Sequence, residues 1–368
     1  MHIECRRESL VQTLTHLGRL VGKNLTLPLL ATILFEAEKD NLTLRATNLD
    51  VGAEVTIPVK VLTPGRLAVP VVLLNNFLNS VTGVDKITLE AKGGNLSITT
   101  GRHRTTLKCL SADDFPTLPR GEADQSVHIS GPLFSLGIKA VGYAASPSEM
   151  KPEIASVYVY SDVGDIVFVA TDSFRLAEKR LPFHQKSGEE FSKMLLPVKN
   201  ALLLANLLEE KEETLLFGAT KNQLTIASET LYASSRIIEG VFPDYQQIMP
   251  KKKTTEAVVL KEDFLGAMKI ASLFAEKFFQ VRLVVDPTAK KLTVHAEGEA
   301  TGVHESDLDA TLEGEALEMS FNARYILDAF SSLKEDSLTL SFGGKGRPMV
   351  IRGVGDNSFT YLAMPLNR

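Results

Sequence analysis

Apolar and polar positions along this chain switch between two periods, and the switches come round three times. Residues 3–7 alternate as a strand does. From Glu8 to Val21 the period lengthens: Leu10, Leu14, Leu17 and Val21 fall at helical spacing on one stripe, which predicts an amphipathic helix. At about 100° per residue the opposite stripe is Gln12, His16, Arg19 and Lys23, carrying two fixed positive charges and no acid. Residues 32–37, 42–47 and 51–59 then read as strands, with turns at 38–41 and 48–50. A second helix is predicted over 71–81, with Val71, Leu74, Leu78 and Val81 inward and Asn76 and Asn79 outward. Two or three strands over 86–110 lead to Phe115-Pro116.

The same order follows again. A helix is expected over 133–144, strands over 156–160, 166–170 and 176–181, and a second helix from Pro197, a position where a missing N–H costs nothing. Strands at 214–218, 223–227 and 231–238 run into Phe242-Pro243-Asp244-Tyr245. After a polar linker at 249–255, helices are expected over 263–274 and 323–333 and strands over 337–342, 349–352 and 358–364. The echoes keep a nearly constant spacing. Phe115-Pro116 and Phe242-Pro243 are offset by 127 residues (115 to 242), and Pro70 and Pro197 by the same amount. Ala46-Thr47-Asn48-Leu49-Asp50 answers Ala170-Thr171-Asp172-Ser173-Phe174 at an offset of 124 (46 to 170). The chain therefore reads as three repeats, 1–122, 123–249 and 250–368, each helix, strands, helix, strands. That is an α+β class with antiparallel sheets and helices on one face.

Composition supports this reading. A chain of 368 residues suits two or three domains, each large enough to bury a core, and 44% hydrophobic with 23% charged residues is ordinary for a soluble protein. No long apolar run could span a bilayer, and the first residues lack the apolar core of a signal peptide, so a cytoplasmic protein is expected. Cys5 and Cys109 lie in strand-like segments without metal-type spacing and are expected to be reduced structural thiols. The net charge of −5 excludes a protein that coats nucleic acid with its whole surface, while leaving room for a local basic face.

Catalytic chemistry finds little support. Gly343-Gly344-Lys345-Gly346-Arg347 lacks the spacing of a phosphate-wrapping loop and stands where a hairpin turn is due. The seven histidines are scattered, no nucleophile elbow is present, and Asp113-Asp114 reads as a polar loop. Asp172 reads as a turn-capping residue, because aspartate bonds its own backbone in turns. No metal and no cofactor are expected.

Thr26-Leu27-Pro28-Leu29-Leu30, residues 169–176, Phe242-Pro243-Asp244-Tyr245, Glu276-Lys277-Phe278, Phe321-Asn322 with Tyr325, and the closing residues 361–366 stand in an order and at separations that resemble the bacterial DNA polymerase III β subunit family, the sliding clamps, over the whole length. The resemblance implies three similar domains per chain and a head-to-tail homodimeric ring, helices inside and sheets outside. It also implies a non-catalytic function: duplex DNA threads the ring, which tethers a polymerase and confers processivity. Partners implied are double-stranded DNA bound without regard to sequence, the polymerase catalytic subunit, a clamp loader and repair proteins carrying a short clamp-binding peptide. No membrane is implied.

Sliding needs weak, sequence-independent attraction, and sparse cations on the inner helices meet that need. Arg19, Lys23, Lys139, Lys199, Lys269 and Arg324 are the candidates, with Asn24 where the family has a basic residue. For ring closure, Arg102 and Arg104 on one edge face Glu297, Glu299 and Glu305, with Leu273, on the other; Thr105 stands where an aromatic is common. The resemblance places a peptide cleft at Ile154, Thr171, Phe174, Arg175, Leu176, Pro243, Gln247, Ile248, Asn322, Tyr325, Met364, Pro365 and Leu366. Apolar walls, an adaptable methionine and a few polar groups are what such a cleft requires. Ser173-Phe174 replaces a common Gly-His pair and Gln247 a common arginine. Two other readings remain at this point: a monomeric peptide-binding scaffold, and a hydrolase acting on DNA or a glycan through acids gathered by folding.

Overall fold

The computed structural model describes all residues except 23–26, 122, 124, 184–192, 212, 251 and 367–368. Lys23 and Asn24, expected to face DNA, lie outside the described residues. The first third runs β1 (His2–Arg6), α1 (Arg7–Leu17), β2 (Thr32–Glu38), β3 (Asn41–Thr47), β4 (Val51–Pro58), β5 (Lys60–Thr63), β6 (Gly65–Pro70), α2 (Val71–Ser80), β7 (Lys86–Lys92), β8 (Asn95–Thr100) and β9 (His103–Lys108). The second runs β10 (Gln125–Ser130), α3 (Gly131–Val141), β11 (Ser156–Asp162), β12 (Asp165–Thr171), β13 (Arg175–Pro182), β14 (Met194–Pro197), α4 (Val198–Leu208), β15 (Thr214–Ala219), β16 (Gln223–Ala227) and β17 (Leu231–Arg236). The third runs β18 (Thr255–Leu260), α5 (Lys261–Phe274), β19 (Gln280–Asp286), β20 (Lys291–Gly298), β21 (Gly302–Leu308), β22 (Ala310–Gly314), β23 (Leu317–Asn322), α6 (Ala323–Ala329), β24 (Ser337–Phe342), β25 (Met349–Gly353) and β26 (Phe359–Ala363).

The helices form where apolar residues recur at helical spacing and bury that stripe: Leu10, Leu14 and Leu17 in α1; Val71, Leu74 and Leu78 in α2; Phe264, Met268 and Ala271 in α5. Several expected boundaries move. The helix expected to reach Val21 ends at Leu17, because Gly18 disfavours helix and the next bonds, Arg19 to His16 and Leu20 to Leu17, tighten to i→i−3. Pro197 closes β14 opposite Ser156, so α4 starts one residue later than expected. α6 stops at Ala329, not Leu333. Cys109 lies just beyond β9, while Cys5 is buried in β1. The pattern as read gave no range for β5, β6, β10 or β14, nor for the third repeat's β18–β23.

Two compact units result, one of Met1–Ser135 with Lys199–Ile237, the other of residues 136–183, 193–198 and 238–366. Neither coincides with a repeat, because hydrogen-bonded sheets cross from one repeat to the next. In the first unit β4 pairs with β17, making an eight-stranded sheet ordered β10-β15-β16-β17-β4-β3-β2-β6, and a second sheet runs β5-β1-β7-β8-β9. In the second, β13 pairs with β26 in a nine-stranded sheet, β14-β11-β12-β13-β26-β25-β24-β18-β22, beside a four-stranded one, β21-β20-β19-β23. All the strand pairs are antiparallel among the described residues. Leu176, Val167, Val169, Leu195 and Leu362 form a buried cluster on the nine-stranded sheet, and Phe242 and Tyr245 close over it.

Candidate partner-binding site

The site grows from the turn between β12 and β13. Asp172 Oδ1 accepts from the N–H groups of Phe174 (2.9 Å) and Arg175 (3.0 Å), while Thr171 Oγ1 donates to Arg175 O (2.6 Å) and accepts from Ser173 N–H (3.1 Å). These bonds hold Ser173 in the left-handed region (φ +77°), a conformation short polar residues tolerate. Asp172 is thus the turn cap its residue type suggested. Next to it, Phe174 is thrown outward, 59% exposed, and Arg175 is turned inward.

Arg175 sits at the centre of the site. Nε donates to Asp172 Oδ2 (3.0 Å), Nη1 to Asp328 Oδ2 (2.5 Å) and Nη2 to Tyr143 O (2.7 Å), and the guanidinium lies 4.6 Å from the Tyr325 ring centre. Burial opposes its charge, but the hydrogen bond to Asp328 and the fields of its neighbours outweigh that and raise its pKa above the ordinary value. Tyr325 is fixed in turn: Asn322 caps α6 by accepting from Arg324 and Tyr325 N–H, and Tyr361 Oη donates to Tyr325 O (2.5 Å).

The C-terminal segment completes the arrangement. Met364 N–H donates to Phe174 O and Leu366 N–H to Ser320 O, both at 2.8 Å, so the segment is stitched from β13 across to β23. Pro365 and Leu366 line a groove of about 480 Å³ with Met319, Ser320, Arg282 and Lys345. On the other side Phe242 and Tyr245 bury against Leu176, leaving Pro243, Gln247 and Ile248 exposed, with Gln247 Nε2 bonded to Asp244 (2.8 Å). Tyr245 Oη donates to buried Glu178 and shares a 2.8 Å bond with Tyr160 Oη; burial, then the bond to Glu178, pushes the Tyr245 pKa up. Ile154 is buried just before β11, its carbonyl accepting from Ser146 N–H (2.9 Å). The structure thus joins Thr171, Phe174, Arg175, Leu176, Asn322, Tyr325 and Met364–Leu366 through direct bonds or packing. Sequence reasoning missed Asp328 and Tyr143, whose only signal is proximity after folding, and gave Tyr361 no role in the site although it opens the closing motif at 361–366.

The expected cations are on helices or their ends. In the first unit Arg19, just past α1, and Lys199 are exposed; in the second Lys269 and Arg324 are exposed, Lys139 lies in the last turn of α3, and Arg324 rests 3.3 Å from the Phe279 ring centre. The two expected edges are true sheet edges. β9 ends the five-stranded sheet and carries Arg104, with Arg102 in the preceding turn and Thr105 half-buried. β21 ends the four-stranded sheet and carries Glu305; Glu297 is exposed on β20, Glu299 pairs with Lys277 (2.7 Å), and Leu273 on α5 is 72% exposed. Among the described residues no cluster of three or more His, Cys, Asp or Glu could hold a metal, and no helix is long and apolar enough to cross a membrane.

Three family models match in succession: the DNA polymerase III beta subunit N-terminal domain over residues 1–119, its central domain over 128–244 and its C-terminal domain over 246–367. The chain belongs to the DNA polymerase III beta subunit family. Beta sliding clamps of Synechococcus elongatus and Bacillus subtilis are 24% and 26% identical, over 100% of this chain and 99% of theirs. A DnaN sliding clamp of Pseudomonas aeruginosa, solved bound to griselimycin, superposes with a TM-score of 0.92 at 23% identity over the whole of both chains, and the beta subunit of Thermotoga maritima with 0.92 at 21% over 100% and 99%. The fold is accordingly the three-domain clamp fold, and the function that of a DNA sliding clamp, a processivity factor without catalytic activity. DNA and a DNA polymerase are the family's partners.

Proposed function

We propose that two copies of this chain close head to tail around duplex DNA and that the segment at Met364–Leu366 is where partner proteins are recruited. The observation that carries the recruitment reading is the stitching of that segment between Phe174 O and Ser320 O beside the buried Arg175. It leaves an apolar, partly open surface of Phe174, Met364, Pro365 and Leu366 fixed in place, the kind of surface that seats one or two large side chains of an extended peptide. The occupant is a short hydrophobic segment carried by the polymerase catalytic subunit, the clamp loader and repair proteins. Phe174 crowds the position beside Met364 and Gln247 supplies no cation, so this clamp prefers a slimmer and less acidic peptide than a site with arginine there.

Ring closure rests on the two edges. β9 offers Arg102 and Arg104, and β21 with its neighbours offers Glu297, Glu305 and exposed Leu273, so opposite charge favours joining unlike edges. Within the ring Arg19, Lys139, Lys199, Lys269 and Arg324 face DNA, few enough to permit sliding. The domains run 1–122, 123–249 and 250–368, and the protein works in the cytoplasm.

Retention on DNA is the direct test. The loaded protein should stay on circular duplex DNA and leave once that DNA is cut; retention after cutting would replace encirclement with ordinary binding. Deleting residues 364–368 should abolish calorimetric binding of a polymerase-derived motif peptide while sedimentation still reports a dimer. Undiminished peptide affinity would remove the recruitment reading.

A further inference from the structure

The turn that builds the recruitment site has a twin in the first unit. Between β3 and β4, Asn48 Oδ1 accepts from the N–H groups of Asp50 (3.0 Å) and Val51 (2.9 Å), Thr47 Oγ1 donates to Val51 O (3.0 Å), and Leu49 N–H donates to Thr47 Oγ1 (3.0 Å). Leu49 is left-handed at φ +80°, as Ser173 is at +77°. The strand leaving the turn, β4, pairs with β17, and Arg236 N–H donates to Asp50 O (2.9 Å), as Met364 N–H does to Phe174 O. The segment after Phe115 is held down in its turn, with Pro119 O accepting from Tyr232 Oη (2.6 Å) and Gln223 Nε2 (3.0 Å). Turn, strand end and strap are all repeated inside one unit.

Between them lies a groove of about 310 Å³, whose apolar lining includes Leu49, Leu118, Pro116, Pro119 and Ile237. Its depth has a cause in one residue. Gly52 stands where the second copy has Leu176, and Leu118 leans so close that a Cβ at Gly52 would lie 2.3 Å from Leu118 Cδ2. Around its mouth the charges are unequal. Arg236 is 74% exposed, its guanidinium 3.4 Å from Asp50; Arg120 and Arg45 share buried Glu54; and exposed Lys221 adjoins the lining residue Asn222. Among the described residues these are four cations to two anions, one of the anions buried, which makes the mouth positive.

We infer that this groove is a second peptide-docking cleft, taking a short extended segment of a partner protein that places a leucine-sized side chain against Leu118 and Ile237 and an acidic residue beside Arg236. The inference rests on reading the Met364–Leu366 surface as a peptide site, since the repeated framework is what extends that role to the first unit. Its ligand differs from the other's in charge: Arg236 stands where the second copy has Met364 at the strand end, and Asp50 where it has Phe174 at the turn. A chain with both clefts holds two segments of one partner, or two partners, at once, and linked segments gain from the raised effective concentration.

Methyl-resolved NMR of the full-length protein separates the two clefts, because Leu118 and Ile237 report on one and Met364 on the other. The probe is the acetylated, amidated peptide Gly-Asp-Leu-Asp-Leu-Gly, titrated into the parent and into Arg236→Glu. In the parent the Leu118 and Ile237 methyls should shift with saturation, and in Arg236→Glu the affinity read from them should fall about tenfold while any Met364 shift is unchanged. Shifts at Met364 alone would overturn the second cleft and leave the recruitment site standing. No shift at Leu118 or Ile237 overturns it whatever Met364 does, and equal affinity in Arg236→Glu would overturn the acidic specificity.

Discussion

At residues 47–51 and at residues 171–175 the backbone follows one path, held by a threonine hydroxyl and an Asn or Asp oxygen making the same bonds, yet the two turns project different chemistry. In the first, Asp50 and Val51 follow the left-handed residue, Val51 is buried, and the space beside Gly52 is filled from across by Leu118. In the second, Phe174 is exposed and Arg175 enters the interior, where Asp172, Asp328, the Tyr143 carbonyl and two aromatic rings make its charge tolerable. Polar side-chain to backbone bonds fix the framework at both places. What the framework does is set by the side chains of the two residues after it, and these are free to vary because the bonds the two turns share use only the backbone groups of those residues.

The widest separation between the copies should come from the inward residue. Arg175→Ala leaves Asp172 buried beside an empty space and should cost about 3 kcal/mol of unfolding free energy in urea, whereas Val51→Ala, a large-to-small change in an apolar site, should cost ~2 kcal/mol. Equal losses would mean that the guanidinium is not buried in its ion pairs. Next come the caps. Asp172→Ala removes two backbone bonds and an ion pair and should cost about 2 kcal/mol; Asn48→Ala removes the two bonds alone and should cost ~1 kcal/mol.

A smaller contrast lies in the straps. Leu118 occupies the place of Tyr245, 127 residues earlier (118 to 245), so only the second strap titrates. The Tyr245 pKa is raised in the folded state by burial and by Glu178. Its contribution is therefore fully present below the unfolded tyrosine value near 10 and is lost as pH rises above it. Stability of the parent should fall between pH 10 and 11 more steeply than that of Tyr245→Phe, which starts about 1 kcal/mol lower at neutral pH. Parallel curves would remove Tyr245 from the account. The smallest effect is at the left-handed residue itself: Leu49→Gly and Ser173→Gly should each stabilise by ~0.5 kcal/mol, the relieved strain slightly exceeding the added chain entropy of glycine. A loss of stability at both would place the cost of the turn elsewhere.

The sequence alone determined the helices α1, α2, α4 and α5, the hairpin strands, the threefold repeat and the turn cap at Asp172, because each depends on the spacing of apolar residues or on a side chain reaching its own backbone. It also carried the family resemblance, since motif order survives where overall identity is low. It gave no range for β5, β6, β10 or β14, short strands whose pattern is weak and whose hydrogen bonds come from distant partners, nor for β18–β23 of the third repeat, where the echo of the first two is faintest. Only tertiary structure decided that sheets cross the repeats through β4–β17 and β13–β26, so that compact units and repeats differ. Only tertiary structure brought Asp328, Tyr143 and Tyr361 to Arg175 and Tyr325, over separations of 153 residues in one case. A buried ion pair is selected by the three-dimensional need to satisfy a charge removed from water, and no local pattern records which remote residue will meet that need.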